Sequence, residues 1–177
     1  MRCTAFLGMS LDGYIAGPGG DLAWLDAIPA PPGNDMGFGQ LMESVDAVVM
    51  GRTTFDFVAS FDGPWPYSKP LVVMSSTLDT IPDHAVDTEL SRQSPTELCD
   101  ELAERGWQHV YVDGGALVAS FHTAALLDEL IVTVVPVVLG DGTKLMEGLL
   151  EPAWLTLAST ETFDNGFVQL RYSISPS

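Results

Sequence analysis

Short runs of apolar residues, each closed by small or hydroxyl-bearing residues, recur through the first two thirds of the chain. The runs at 4–9, 47–50, 71–74 and 109–112 have the unbroken hydrophobicity of inner strands in a largely parallel sheet. Helical spacing separates them. Segment 35–44 carries Met36, Phe38, Leu41 and Met42. Ser94-Pro95-Thr96-Glu97 opens a helix running to Arg105, with Ser94 as N-cap, Pro95 at the first helical position and Glu97 completing a capping box. Gly106 stops it. A further helix is expected over 115–127, after a strand that ends at Asp113.

The pattern changes in the last third. Segment 129–139 reads as a long Val-rich strand, and Pro136 within it implies an edge, a bulge or a strand end. Segments 155–163 and 167–174 alternate around Asp164-Asn165-Gly166, whose Asn-Gly pair signals a hairpin. The whole predicts an α/β fold with a mostly parallel central sheet, helices on both faces and a C-terminal antiparallel hairpin. The Gly/Pro-rich stretches at 17–20 and 29–33 read as loops, so one domain is expected over 1–177.

Composition narrows the function. The 177 residues are 46% hydrophobic, enough for one compact core. Twenty-four acidic residues against seven Lys plus Arg give a formal charge of −17. Such a field repels phosphate backbones and argues against nucleic-acid partners. It also makes any cation near an anion-friendly turn informative. Cys3 and Cys99 lie far apart without CxxC spacing and are expected as buried reduced thiols, and His84, His109 and His122 lack ligand spacing, so no metal is expected. The N-terminal apolar run is too short for a signal peptide and no run is long enough to span a membrane. A cytoplasmic protein without a membrane partner is expected.

Three strand ends carry candidate chemistry. Ala47-Val48-Val49-Met50 runs into Gly51-Arg52-Thr53-Thr54, a strand opening a helix at a glycine. Free N–H groups and the helix dipole attract anions there, Arg52 adds a fork of donors and the threonines add hydroxyls. Leu71-Val72-Val73-Met74 is followed by Ser75-Ser76-Thr77, hydroxyls able to hold a phosphate or to cap a turn. Val110-Tyr111-Val112-Asp113 precedes Gly114-Gly115-Ala116, where paired glycines permit close approach of a pyrophosphate. Ligands of open α/β sheets bind at the carboxyl ends of strands, so the three turns gain weight together.

These segments, with Leu11-Asp12-Gly13-Tyr14-Ile15-Ala16, Leu127-Asp128-Glu129-Leu130 and Pro136-Val137-Val138-Leu139-Gly140-Asp141-Gly142, follow the order and spacing of a known group. The chain resembles the dihydrofolate-reductase superfamily, and within it the stand-alone relatives of the reductase domain of the riboflavin-biosynthesis deaminase–reductase. The resemblance implies a reductase using NADPH. It puts Gly51, Arg52, Thr53 and Thr54 on the cofactor phosphates and Ser75 and Ser76 near the 2′-phosphate. It puts Gly114, Gly115 and Ala116 against the pyrophosphate and ribose, and Ile15 and Ala16 at the nicotinamide. It also implies a homodimer, paired through the C-terminal sheet region.

The chain departs from the riboflavin reductases on the substrate side, with Tyr14 where they carry Lys and Asp113 where they carry Glu. That leaves the ribosylaminopyrimidine substrate open. Tyr14 and Trp24 are the substrate-side candidates, and Asp12, Asp21, Asp113 or an ordered water the candidate proton donors. Asp21 also fits as N-cap of a short helix over 23–27. The leading expectation is hydride transfer to a C=N or C=O of a small pterin- or pyrimidine-like heterocycle. Alternatives are a nucleotide-binding or interaction protein without turnover, a true dihydrofolate reductase, or a 5-amino-6-(5-phosphoribosylamino)uracil reductase.

Overall fold

The computed structural model describes residues 1–30 and 32–174. Its strands are β1 (Arg2–Ser10), β2 (Tyr14–Ala16), β3 (Ala47–Gly51), β4 (Leu71–Met74), β5 (Thr88–Ser91), β6 (His109–Asp113), β7 (Glu129–Val135), β8 (Thr143–Lys144), β9 (Leu155–Thr162) and β10 (Val168–Ile174). Its α-helices are α1 (Phe38–Ser44), α2 (Arg52–Ala59), α3 (Pro95–Glu104) and α4 (Gly115–Thr123). Eight strands form one sheet in the order β5-β4-β3-β6-β1-β7-β10-β9, and β2 pairs with β8 apart from it. The pairings from β5 across to β7 are parallel, while β10 and β9 run antiparallel. This is the α/β architecture expected from the sequence.

Alternation along the inner strands divides the core into two layers. Ala47, Val49, Val72, Val110 and Val112 pack with Leu98, Leu102, Val118 and Phe121 of α3 and α4. Val48, Met50, Leu71, Val73 and Tyr111 pack on the opposite face with Leu41 of α1 and Phe55 of α2. Both faces are therefore apolar, which is why the strands read as continuous hydrophobic runs.

Local chemistry sets the boundaries. Ser94 Oγ accepts from Glu97 N, and the Glu97 carboxylate accepts in return from Ser94 N, so the expected capping box forms. Helix α1 starts at Phe38 rather than at residue 35. Met36 and Gly37 are left-handed (φ 57° and 86°), and the Asp35 carboxylate is taken by the N–H groups of Gly37 and Gly39. Helix α4 ends at Thr123, short of the expected 127, and Ala125 turns left-handed (φ 56°). Strand β7 stops at Val135 because Pro136 has no N–H for the ladder, so the expected strand to 139 is shortened. The Leu11 N–H then bonds the Val137 carbonyl at 2.8 Å. The short helix over 23–27 is a single 3-10 turn, Ala23–Leu25. Of the loop expected at 29–33, residue 31 lies outside the described residues. Cys3 and Cys99 are buried free thiols whose sulfurs lie 3.9 Å apart.

Candidate functional site

The chain leaves β1, skips one place to form β3, and later returns to lay β6 between them. Such a reversal of strand order opens a crevice at the carboxyl ends of the strands. Here Met50 of β3 is level with Asp113 of β6, and Val112 with Ala5 of β1. A cavity of about 650 Å³ occupies this crevice.

Helices α2 and α4 spring directly from β3 and β6. Their N-caps are Gly51 and Gly114, and neither N-terminus has a side-chain cap. The first-turn N–H groups of both helices thus remain available, and the helix dipoles favour an anion at each end. The glycines differ in what holds them. Gly114 has φ 101°, and a Cβ there would lie 2.6 Å from Thr54 Oγ1. At Gly51 an added Cβ would meet nothing closer than Leu117 Cβ at 3.9 Å, an ordinary contact. The protein itself does not demand glycine at 51; what the glycine provides is open space in the cavity.

Ile15, Ala16, Gly51, Arg52, Thr53, Thr54, Gly114, Gly115 and Ala116 all line this one cavity. Strand β2 reaches it because Ile15 lies over Gly115, where a Cβ would come within 2.3 Å of Ile15 Cδ1. Ser75 and Ser76 are not among the lining residues. Ser75 Oγ instead accepts from the Thr77 and Leu78 N–H groups and caps the turn after β4. Arg52 Nη1 donates to Thr77 Oγ1 at 2.9 Å, and Arg92 Nη2 donates to the Leu78 carbonyl at 2.8 Å. Two guanidinium groups therefore flank that turn.

The candidate carboxylates separate. Asp113 lines the cavity, on the same strand face as Tyr111. Withdrawal from water pushes its carboxyl up, the Tyr111 hydroxyl and Gly114 N–H pull it partly back, and its pKa rests at about 6. Burial, with the nearby Asp113 charge, pushes the Tyr67 and Tyr111 hydroxyls up as well. Asp12 lies outside the cavity lining. Loss of hydration opposes its ionisation, but hydrogen bonds from Ser10, Gly140 and Leu139 outweigh this and hold it at about 2. It ties the end of β1 to the 139–140 loop. Asp21 is exposed and accepts from the Ala23 N–H at 3.0 Å, also outside the lining.

Tyr14 pairs with Lys144, whose ammonium lies 5.5 Å from its ring centroid, and does not line the cavity. Trp24 is buried with Val135 and Phe167 in a small cluster of its own. In front of that cluster lies a second cavity of about 300 Å³, which shares Phe6, Gly8 and Leu25 with the first. The sequence alone does not single out these three residues, because Phe6 and Gly8 sit inside a strand that reads as core. A glycine within an apolar strand was the available signal, since it marks close approach. A Cβ at Gly8 would meet Leu25 Cδ2 at 2.7 Å, so Leu25 rests directly on the strand.

A mostly parallel sheet, helices on both faces and a crevice at the strand ends define a dihydrofolate-reductase-like reductase fold. The chain belongs to the RibD C-terminal domain family, whose model matches residues 2–169. It is similar to the uncharacterized protein YwjB of Bacillus subtilis (strain 168), with 32% identity over 173 residues and 97% of each chain covered. Among solved structures it is similar to a Shewanella sp. PV-4 protein whose name ties it to riboflavin biosynthesis. That match has 37% identity, a TM-score of 0.93 and 99% coverage of both chains. The Thermotoga maritima diaminohydroxyphosphoribosylaminopyrimidine deaminase/5-amino-6-(5-phosphoribosylamino)uracil reductase shares the fold. There the TM-score is 0.71 at 17% identity, covering 98% of this chain and 56% of that one.

Proposed function

We propose that the protein is an NADPH-dependent reductase that delivers a hydride to a C=N or C=O bond of a small pterin- or pyrimidine-like heterocycle. The observation that carries this reading is the meeting of two uncapped helix N-termini, at Gly51 and Gly114, with the carboxyl of Asp113 around one cavity. The N–H groups of α2 and α4 bind the pyrophosphate, and Gly51 and Gly114 let it approach the backbone. Arg52, with Ser76, Thr77 and Arg92 on the adjoining turn, receives the 2′-phosphate. Ile15 and Ala16 hold the nicotinamide end. When bound, the dihydronicotinamide supplies the hydride and leaves oxidised.

Asp113 supplies the matching proton to the acceptor nitrogen or oxygen. Its elevated pKa keeps a useful fraction protonated near neutral pH, as a general acid requires. Phe6, Leu7 and Leu25 exclude water from the junction where acceptor and cofactor meet. We further propose a cytoplasmic homodimer pairing through the β9 edge, where Trp154 and Leu157 are exposed beside the strand's open ladder. No helix among the described residues is long and apolar enough to cross a membrane.

Calorimetric titration of the full chain tests the cofactor reading. Saturable NADPH binding, weakened in Arg52→Ala, is expected. No binding at millimolar NADPH would overturn it. Light scattering tests the pairing, with a Trp154→Glu/Leu157→Glu double variant expected to shift dimer to monomer.

A further inference from the structure

The second cavity adjoins the first through Phe6, Gly8 and Leu25, so an occupant of it abuts whatever the first one holds. Its walls are strongly apolar. Phe6, Leu25, Ile28, Met36, Val135 and Phe167 all contribute to them. Among the described residues the one hydroxyl in the lining is that of Thr133, which already accepts from Gln169 Nε2 at 3.1 Å, and the same amide donates to the Met36 carbonyl at 2.9 Å. Among the described residues, the only ionisable side chain in the lining is Asp26, which is exposed.

None of the seven cations of the chain lines this cavity. Arg2 and Arg171 are both paired with Glu129, and Arg105 with Glu89 and Glu101. Lys144 lies over Tyr14, Lys69 acts on Asp46, and Arg92 is held at the Leu78 carbonyl. Arg52 stands in the wall of the first cavity, joined to Asp56 and Thr77. A phosphate in the second cavity would lose its hydration against apolar walls, face the Asp26 carboxylate and find no counter-charge. Its volume, at the small end of ligand pockets, suits a compound of one or two rings.

We propose that the second cavity holds the ring of the acceptor, whose reacting bond reaches past the shared wall of Phe6, Gly8 and Leu25 into the first cavity and toward Asp113, and that the acceptor is an uncharged, unphosphorylated ring compound. The chain thus differs in substrate class from a reductase of a phosphoribosylamino compound, the activity named for the Thermotoga maritima protein that shares its fold. This inference rests on the reductase reading for the word acceptor, while the charge selectivity of the cavity stands by itself.

The test is a matched pair of fluorescent probes, 2-naphthol and 2-naphthyl phosphate, titrated into the full chain with and without saturating NADPH. The expected result is that 2-naphthol binds at least about tenfold more tightly than its phosphate ester, with NADPH present as well as absent. Asp26→Lys, an exposed change that leaves the core intact, is expected to narrow the difference by about tenfold without altering NADPH affinity. Equal or tighter binding of the ester to the unaltered chain overturns the inference. So does failure of 2-naphthol to bind, its displacement by NADPH, or indifference of the probe ratio to Asp26→Lys. Failure of NADPH itself to bind overturns the cofactor reading instead, and the probe ratio still reports on the cavity.

Discussion

Gly114 and Thr54 meet across the turn between β6 and α4, where a Cβ on Gly114 would stand 2.6 Å from Thr54 Oγ1. Gly51 faces the same cavity without any such neighbour. The two glycines therefore separate what the fold needs from what a ligand needs.

Gly114→Ala is expected to destabilise the protein by about 1–3 kcal/mol, since it adds a clash to a backbone at φ 101°. Gly51→Ala is expected to leave stability within about 0.5 kcal/mol and to weaken NADPH binding at least about tenfold. Urea unfolding and calorimetry on both variants check this. Equal stability losses would remove the distinction.

Asp113 sets a pH dependence. Its pKa is raised from 3.8 to about 6, so the folded protein holds that proton more tightly than the unfolded chain does. The sign follows: stability contributed here is full below pH 4 and falls as pH rises to about 6, with an upper bound of about 3 kcal/mol. Asp113→Asn is expected to gain about 1–3 kcal/mol at pH 8 and little at pH 4, by denaturant titration. On the proposed reductase reading, turnover of an acceptor by the unaltered protein should decline above pH 6, and the Asn variant should lose about 100-fold or more in kcat.

Arg52 is exposed, and its ion pair with Asp56 adds little to stability. On the proposed placement of its guanidinium at the 2′-phosphate, Arg52→Ala is expected to lower NADPH affinity by about 10- to 100-fold while changing NADH affinity much less. Unfolding midpoints should agree with the parent's. Parallel losses for both cofactors would move Arg52 to the pyrophosphate.

Ser94→Ala removes the hydroxyl that accepts from Glu97 N at the start of α3, outside the cavity lining. The expected cost is about 1 kcal/mol in denaturant unfolding, with NADPH affinity unchanged. This variant calibrates the others.

What was legible in the sequence was local or periodic. The Ser94–Glu97 box lies within four consecutive residues, and Val48, Val72 and Val110 advertise strands whichever neighbour they take. The turns at Gly51 and Gly114 were visible for the same reason. What stayed hidden depends on distant partners. The Asp12 carboxylate looked like a proton donor until Leu139 and Gly140 arrived, 127 and 128 residues away, to occupy it. Asp35 withholds residues 35–37 from α1 by bonding the N–H groups of Gly37 and Gly39, an alternative that helical spacing does not register. Strands β2, β5 and β8 are two to four residues long and are set by pairing rather than pattern. Phe6 and Leu25 carry ordinary core chemistry, and only the gap beside them makes them a wall.

The order in which the sheet is laid down bears on synthesis. Strand β6 is the last piece set between β1 and β3, so a nascent chain that has not reached residue 109 holds two strands with a vacant slot between them. Each presents an unpaired ladder edge, the hazard that draws growing chains into aggregates or chaperones. The crevice cannot exist at that stage, because both Asp113 and the Gly114 turn arrive with the missing strand. NADPH added during translation is therefore expected, on the proposed reading, to rescue yield only late, once the chain past Thr143, about four fifths of the polypeptide, has left the ribosome.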